Sequence, residues 1–576
     1  MGVHTSTMIA TSLLVATLGC GDTASQPPPA RGLDAAAAGP DATAAGPDAA
    51  PVDPGDLLAA GSWTCLEGAH AQGSTLVIDP IDRWIVGYAP APRTPNPPIM
   101  LVGPHLELGG DGFSVSARLS VAAPSPALLT LNGKLPVIYD EWRQEGVALA
   151  FGLEAGRVLV RVWDGTRATP TTSRFADGLS GTVTIGVAVA DAEAVVTVDG
   201  AEVGRAAVPA RLASGRVYFG AMVAPDNQLT VHALAASGDG LTVITPAQFM
   251  ATPASATSLR ARAAPRALAI GTAVASYPLL GESAYATTLG REFSMVTPEN
   301  MMKFQFIHPR RDRYAFCDAD ALVAYAAANG MKVHGHALVW GEAVPQWVSQ
   351  GNFSSAELTE ILHQHITTVV SRYRGRIAEW DVLNEPLDDD TGKLRATVWQ
   401  RALGTAYVAT VFRWAHEADP DARLYVNEYG IESAGSKADK LFALVQAAVQ
   451  AGVPIHGVGF QGHEDLGEEA DPAELRASMA RYQSLGIDVR ISELDDNPGH
   501  RPSAAELAEQ AAFYRAELDV CLALPHCISF STWGFTDRYS SLANDGAYDD
   551  LGFGLIFDED YAPKPAYDAL AAGLMP

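Results

Sequence analysis

Two carboxylates stand where apolar runs end: Glu385 in WDVLNEP (380–386) and Glu493 in ISELD (491–495). Asn384 precedes the first, and Asp495 lies two residues beyond the second. A histidine, His463, closes a further apolar run, GVGFQGH (457–463). A His–Asp pair beside a carboxylate can donate hydrogen bonds that keep it ionised. A second carboxyl, held protonated, can then give its proton to a departing oxygen. Hydrolysis of a glycosidic bond needs such a pair, one member as acid and the other as nucleophile or as base towards water. Taken singly, Glu385 would be a solvated strand end with Pro386 as its terminator, and His463 a satisfied core histidine. The chemical reading therefore depends on a scaffold that gathers these groups.

That scaffold is legible from about residue 261 onward, where the texture alternates between β and α. Eight short apolar segments occur at 267–274, 294–300, 332–340, 379–385, 423–429, 457–463, 488–495 and 528–537. Helical stretches separate them. One opens with the capping box Ser354-Ser355-Ala356-Glu357 and sets Leu358, Leu362, His365 and Val369 on one face. Another, DADALVAYAAANG, ends at Gly330, a natural C′ residue. Eight βα units predict a (β/α)8 TIM barrel over 261–576. Polar residues cluster at the C-terminal ends of seven segments: Glu299-Asn300, His336, Asn384-Glu385, Asn427-Glu428, Gln461 with His463, Glu493 with Asp495, and Trp533 with Asp537. That end of such a barrel is its active-site face, whereas polar groups inside the strand layers are costly to bury. Glu385, on the fourth strand, and Glu493, on the seventh, then approach across the barrel mouth.

Taken in order, VTPENMMKF (296–304), GHALVW (335–340), WDVLNEP, GVGFQGH, ISELD, TWGFTD (532–537) and GLIFDEDYAPKPAY (554–567) resemble the family 10 glycoside hydrolases, the endo-β-1,4-xylanases. The likeness runs from about residue 262 to 574 and spans the whole predicted barrel. It implies a retaining mechanism with Glu385 as general acid/base and Glu493 as nucleophile, oriented by His463, itself held by Asp495. It implies that Asn384 binds the 2-hydroxyl of the sugar at the cleavage point. Asn300, Lys303 and His336 would hydrogen-bond the sugar on the non-reducing side, with Gln461 nearby and Trp340 and Trp533 as apolar walls. The implied partner is a plant-type polysaccharide, xylan or a related β-glycan. No metal or organic cofactor is expected, because water is the second substrate. The sequence departs from the family at Phe304, at Gly341-Glu342-Ala343, at Glu428 and Gly430, and at Ser541, where the family usually has Trp, His-Ser-Gln, the Asp and last Asn of NDYN, and Trp. These departures leave the chemistry in place and the substrate preference open.

At 576 residues the chain exceeds one ordinary core, so two domains plus tails are expected. With 66 Asp and Glu against 39 Lys and Arg, the net charge is −27, which argues against a nucleic-acid partner because phosphate binding needs clustered cations. An acidic surface suits a neutral substrate and a soluble monomer.

The first twenty residues read as an export signal. Met8 to Gly19 is apolar, too short to span a bilayer and the right length for a signal core. It stops at Leu18-Gly19-Cys20, which resembles the lipobox of bacterial lipoproteins, with Cys20 lipidated; a plain secretory signal is the alternative. Either way the mature protein is expected to leave the cytoplasm, as a secreted protein or a cell-surface lipoprotein at the bacterial outer membrane. It would meet the membrane only through Cys20. Residues 21–58, rich in Ala, Gly, Pro and Asp with GPDA twice, read as a disordered tether.

Over 59–236 the pattern turns to period two. Val183, Ile185, Val187 and Val189 alternate with small or polar residues, as do Val158, Val160 and Val162. Asp199-Gly200 and Asp164-Gly165 supply turns. The reading is an antiparallel β-sandwich, jelly-roll-like, whose run VVTVDGAEVG followed by GRVYFGAMV resembles the laminin-G and concanavalin-like lectins. Trp63, Trp84, Trp142 and Trp163 could stack on sugar rings as a carbohydrate-binding domain would require, or fill the sandwich core. Residues 237–260 read as a connection. Cys521 and Cys527 flank five residues just before an apolar strand, and a local disulfide is expected there in an oxidising compartment, as the family resemblance also implies. Cys65 and Cys317 are expected to be free thiols.

Two other functions fit parts of the sequence. His334 and His336 share one face of a strand, and with His463 and Asp537 could form a metal-dependent hydrolase site. A catalytically weak, glycan-binding surface lipoprotein would suit the departures and the lectin-like domain.

Overall fold

The computed structural model describes residues 55–58, 69–72, 74–78, 99–100, 105–110, 112–132, 147–163, 170–209, 212, 215–224, 226–244, 251–253, 255–311, 314–542 and 552–575. Cys20, Cys65, Trp63, Trp84, Trp142 and the Asp164-Gly165 turn lie outside the described residues.

The N-terminal part folds into two antiparallel sheets. In one, Val183–Ala190 pairs with Gly112–Val121 and with Glu193–Val198. In the other, Gly215–Val223, Ala127–Asn132, Val147–Glu154 and Arg157–Val162 lie side by side. The alternation predicted at Val183, Ile185, Val187 and Val189, and at Val158, Val160 and Val162, is met by burial of all seven in one apolar core. Asp199 and Gly200 join Glu193–Val198 to Ala201–Ala207, with φ of 47° and 87°. Two consecutive left-handed residues match the right-handed twist of the flanking strands, which is why Asp-Gly suits this hairpin. Trp163 is buried with Leu128, Ala150, Leu159 and Met222, so of the two readings it takes the packing one. The stretch expected as a connection includes one further short strand, Thr242–Ile244, paired with His105–Leu108.

The C-terminal part is a closed barrel of eight parallel strands: β1 (Ala269–Val274), β2 (Met295–Pro298), β3 (Lys332–Gly335), β4 (Glu379–Asn384), β5 (Arg423–Glu428), β6 (Gly457–Phe460), β7 (Asp488–Asn497) and β8 (Cys527–Thr532). Each pairs in parallel with the next, and β1 pairs with β8 to close the ring. All eight expected segments fall on a barrel strand, β7 running two residues further and β8 starting one residue earlier than expected. A parallel strand needs a crossover back to the barrel's other end. Helices Ser283–Glu292, Cys317–Ala328, Ser355–Arg372, Tyr407–Ala418, Ser436–Gln450, Pro472–Gln483 and Ala504–Ala523 lie in those seven returns, and Pro565–Gly573 follows β8.

Local sequence sets these helices. The Ser354 hydroxyl accepts from the Glu357 amide while the Glu357 carboxylate accepts from Ser354, the reciprocal cap expected. That satisfies two amide groups that the helix itself cannot. Leu362, His365 and Val369 are buried on its inner face. Gly330, at φ 58°, lets the chain leave helix Cys317–Ala328 in the left-handed conformation that glycine tolerates best. Cys521 and Cys527 form the expected disulfide, tying the end of helix Ala504–Ala523 to the start of β8. No described helix is long and apolar enough to cross a membrane.

Candidate active site

All eleven residues expected to act on or bind a substrate line one cleft of about 510 Å³ at the C-terminal ends of the strands. Asn300 and Lys303 follow β2, His336 follows β3, and Trp340 ends the short strand Val339–Trp340. Asn384 closes β4 with Glu385 after it, and Gln461 and His463 follow β6. Glu493 and Asp495 sit within the extended β7, and Trp533 follows β8.

The two carboxylates have different surroundings. Glu385 leaves the strand geometry: its φ is 48°, and its amide donates to the Asn427 carbonyl at 2.8 Å. Left-handed backbone at a side chain of this size costs roughly 1–2 kcal/mol and is kept where surrounding contacts impose it. The Trp340 indole donates to Oε2 of Glu385 at 2.8 Å, and Gln461 and Asn384 donate to Oε1, each at 3.2 Å. Burial, and then the negative charge of Glu493, push the Glu385 carboxyl above its ordinary range, against the pull of those hydrogen bonds.

Glu493 is only 5% exposed, yet its carboxyl is held below its ordinary range. Burial works against this, and the hydrogen bond from His463 with the fields of His336 and His463 outweighs it. Nε2 of His463 lies 3.2 Å from Oε2 of Glu493, and its Nδ1 lies 2.9 Å from Oδ1 of Asp495. Removal from water opposes charge on this imidazole, but Asp495 and Glu493 hold its pKa well above the ordinary histidine value. As an imidazolium it donates to both carboxylates. The buried pair of carboxyls is thus biased towards opposite protonation states, one acid and one base.

The other wall carries the cation. Lys303 donates to Oδ1 of Asn300 at 3.0 Å, with its ammonium 4.8 Å from the Trp340 ring centre and 5.4 Å from that of Trp533. Burial lowers its pKa while Glu493, Glu299 and Glu385 raise it, with burial winning. The rings of His336 and Trp533 meet edge to face at 5.3 Å.

Three further residues complete the frame. Asn427, at the end of β5, donates to Oδ1 of Asn384 at 2.8 Å and to Oε1 of Glu493 at 2.6 Å. Ser492 donates in turn to Oδ1 of Asn427 at 2.7 Å, fixing that amide's orientation. Asn427 was legible as a polar strand end, but its bridging role was not. Asp381, 1% exposed, accepts from Nδ1 of His336 at 2.9 Å. The pairing His334 to Glu379 and Gly335 to Trp380 puts Asp381 beside His336, a consequence of register that the sequence signals only once the two strands are aligned. Tyr429 also lines the cleft, its hydroxyl donating to Asp389 at 2.6 Å.

The metal reading does not find its donors together. Nδ1 of His334 is engaged by Glu379 at 3.2 Å and that of His336 by Asp381, while Asp537 is held by Lys564 at 2.8 Å and does not line the cleft. Among the described residues no group of three or more His, Cys, Asp or Glu is arranged to hold a metal ion.

Of the positions that depart from the xylanase pattern, only Ser541 lines the cleft. Phe304 is buried, stacked between His365 and Trp399 at 3.6 and 5.3 Å. Ala343 is buried as well. The space beside Gly341 is filled: a Cβ there would lie 2.5 Å from Cγ2 of Thr397.

Comparison with known proteins finds relatives of this barrel. Residues 258–573 match the family model for Glycosyl hydrolase family 10. Endo-1,4-beta-xylanase B of Thermotoga neapolitana is 40% identical over 287 residues, covering 50% of this chain and 82% of its own. Endo-1,4-beta-xylanase A of Phanerodontia chrysosporium is 38% identical over 296 residues, 51% of this chain and 71% of its own. Among solved structures, native xylanase 10B of Thermotoga maritima superposes with a TM-score of 0.53 at 38% identity, covering 55% of this chain and 98% of that one. Xylanase 10B of Thermotoga petrophila, solved in complex with xylobiose, gives a TM-score of 0.52 at 38% identity, covering 55% and 97%.

Proposed function

The chain belongs to glycosyl hydrolase family 10, and from that premise we propose that it is a retaining endo-β-1,4-xylanase that cleaves internal bonds of xylan or a related β-glycan. The observation that carries the reading is the opposite bias of two buried carboxyls at one cleft, Glu385 towards the acid and Glu493 towards the carboxylate.

In the first displacement Glu493 attacks the anomeric carbon as the glycosidic C–O bond breaks, and Glu385 delivers its proton to the leaving oxygen. A glycosyl ester on Glu493 results. In the second, the ionised Glu385 takes a proton from water, which attacks the same carbon and frees Glu493. His463, oriented by Asp495, keeps Glu493 charged before attack and stabilises it as a leaving group. Asn384 binds the 2-hydroxyl of the sugar being cleaved. Asn300, Lys303, His336 and Gln461 offer polar contacts beside it, between the indoles of Trp340 and Trp533.

The remaining expectations enter as part of the same proposal. The antiparallel sandwich would bind glycan and raise the barrel's local concentration on an insoluble substrate, while Met1–Cys20 would direct export, with Cys20 as a lipid anchor. The protein would act as a monomer. Binding of the sandwich to xylan, and lipid labelling of the wild type but not of Cys20→Ala, test the two accessory roles.

The activity is tested by product analysis on xylan, mixed-linkage glucan, cellulose and mannan, with Glu493→Ala as control. Internal cleavage of xylan by the parent and none by the variant is expected. Binding without release of reducing ends by the parent would instead favour a non-catalytic glycan-binding protein.

A further inference from the structure

Glu385 has to be held at two ends. Trp340, Gln461 and Asn384 donate to its carboxyl, but its left-handed backbone needs anchors of its own. The Glu385 amide has one in the Asn427 carbonyl at 2.8 Å. The next residue, Pro386, has no amide hydrogen to offer. Leu387 therefore supplies the first amide after the acid, and it donates to Oε2 of Glu428 at 3.1 Å.

Glu428 closes β5 and is 0% exposed, so its carboxyl faces the turn and not the solvent. Its other oxygen meets the Lys437 ammonium at 3.0 Å and accepts from the Tyr429 amide at 3.2 Å. A buried carboxylate without a partner would cost several kcal/mol, and Lys437 supplies the opposite charge. Lys437 lies in the first turn of helix Ser436–Gln450, where the helix dipole disfavours a cation by about 0.3–1 kcal/mol. Glu428, Asp389 at 2.8 Å and the face of the Tyr429 ring, its centre 3.4 Å from the ammonium, offset that cost.

The far side of Leu387 is held as well. Nη2 of Arg395 donates to the Leu387 carbonyl at 2.9 Å, and the Arg395 amide donates to the Pro386 carbonyl at 2.7 Å. Glu428, Lys437 and Arg395 do not line the cleft themselves.

We propose that Glu428, backed by Lys437, and Arg395 are positioning residues for Glu385: they grip Leu387 at its amide and its carbonyl and so impose the turn that carries the acid into the cleft. The inference rests on the acid role given to Glu385. Without the grip, the chain after β4 relaxes towards ordinary backbone angles, which lie about 1–2 kcal/mol lower for a residue of this size. The Glu385 carboxyl then moves off the leaving oxygen, while Glu493, held by His463 and Asn427, keeps its place. A misplaced acid slows the breaking of a bond in proportion to that bond's need for a proton.

The test is kcat/KM for Glu428→Ala on two aryl β-xylobiosides, one losing an acidic dinitrophenol and the other phenol. The phenyl substrate is expected to lose at least about tenfold and the dinitrophenyl substrate less than about threefold. A role in folding or in shaping the cleft would lower both alike, so equal losses overturn the proposal, as does no loss on either. Should Glu428→Ala fold poorly, Arg395→Ala, at a part-exposed position, carries the same expectation. Hydrogen exchange gives a readout free of activity. Mass spectrometry of peptides covering 384–395 should show faster exchange in either variant, and unchanged exchange overturns the grip. Glu385→Ala, run alongside, separates two failures. Selective loss on the phenyl substrate in Glu385→Ala but not in Glu428→Ala sinks the positioning inference alone. No selective loss in Glu385→Ala removes the acid assignment, and the inference with it.

Discussion

Asn427 donates a hydrogen bond of 2.6 Å to Oε1 of Glu493 and thereby ties the end of β5 to β7. The same amide reaches Asn384, so one side chain sets the spacing between the residue that precedes Glu385 and the carboxylate opposite. A hydrogen bond to a charged group contributes about 1.5–3 kcal/mol, so Asn427→Ala is expected to lower kcat about 10- to 100-fold on xylan. Steady-state kinetics with circular dichroism as a folding control checks this; a KM effect alone would place Asn427 in binding.

Glu385→Ala should separate substrates by their leaving groups. Polysaccharide, whose departing alkoxide needs a proton, is expected to lose activity severely, whereas aryl glycosides with acidic phenols should keep far more of their glycosylation rate. Equal losses on both would remove Glu385 from the acid role.

His463→Ala should move the acid limb of kcat/KM. On the proposed mechanism the parent needs Glu493 ionised, and that carboxyl is held low against burial chiefly by the His463 hydrogen bond. Without it burial prevails, the Glu493 pKa rises, and activity should begin to fall at a higher pH than in the parent. A limb that stays in place would mean that His463 only packs.

Asp381 offers a stability test with a defined sign. Burial would raise its pKa, but His334 and His336 outweigh burial and depress it strongly. A carboxyl depressed in the folded state contributes stability above its unfolded value, about 3.9, and loses it progressively as pH falls towards the folded value. Asp381→Asn should therefore lower stability by about 3 kcal/mol near pH 6, with the gap to the parent shrinking below about pH 4. Thermal melts across that range measure it; a gap independent of pH would contradict the assignment.

Gly341 and Thr397 should be coupled. Gly341→Ala forces a Cβ against the Thr397 methyl and is expected to cost about 1–3 kcal/mol by overpacking. Combining it with Thr397→Gly should recover part of that loss. Additive penalties in a double-mutant cycle would show that the two do not share the space.

The barrel was readable because each strand leaves a short apolar run, seven of them ending in polar residues, and because eight such runs recur at the spacing that βα crossovers need. Most of the expected cleft-lining residues were readable as polar residues closing apolar runs, whereas Lys303 and Trp340 came only from the resemblance to the family. Asp381 was not, because its place is fixed by register with β3 rather than by its neighbours in sequence. Thr397 was not either: it comes from the segment between β4 and helix Tyr407–Ala418, more than fifty residues beyond the glycine whose space it fills.

The left-handed backbone at Glu385 has a wider meaning for how this sequence can change. Glycine or asparagine would occupy φ 48° at less cost, and either would also relieve the burial of an acid there. Selection for thermal robustness alone would therefore discard the acid early, at a position where losing it makes the chain easier to fold. A stabilised descendant of this protein should be checked first at residue 385, because there persistence of the fold and persistence of the reaction pull in opposite directions.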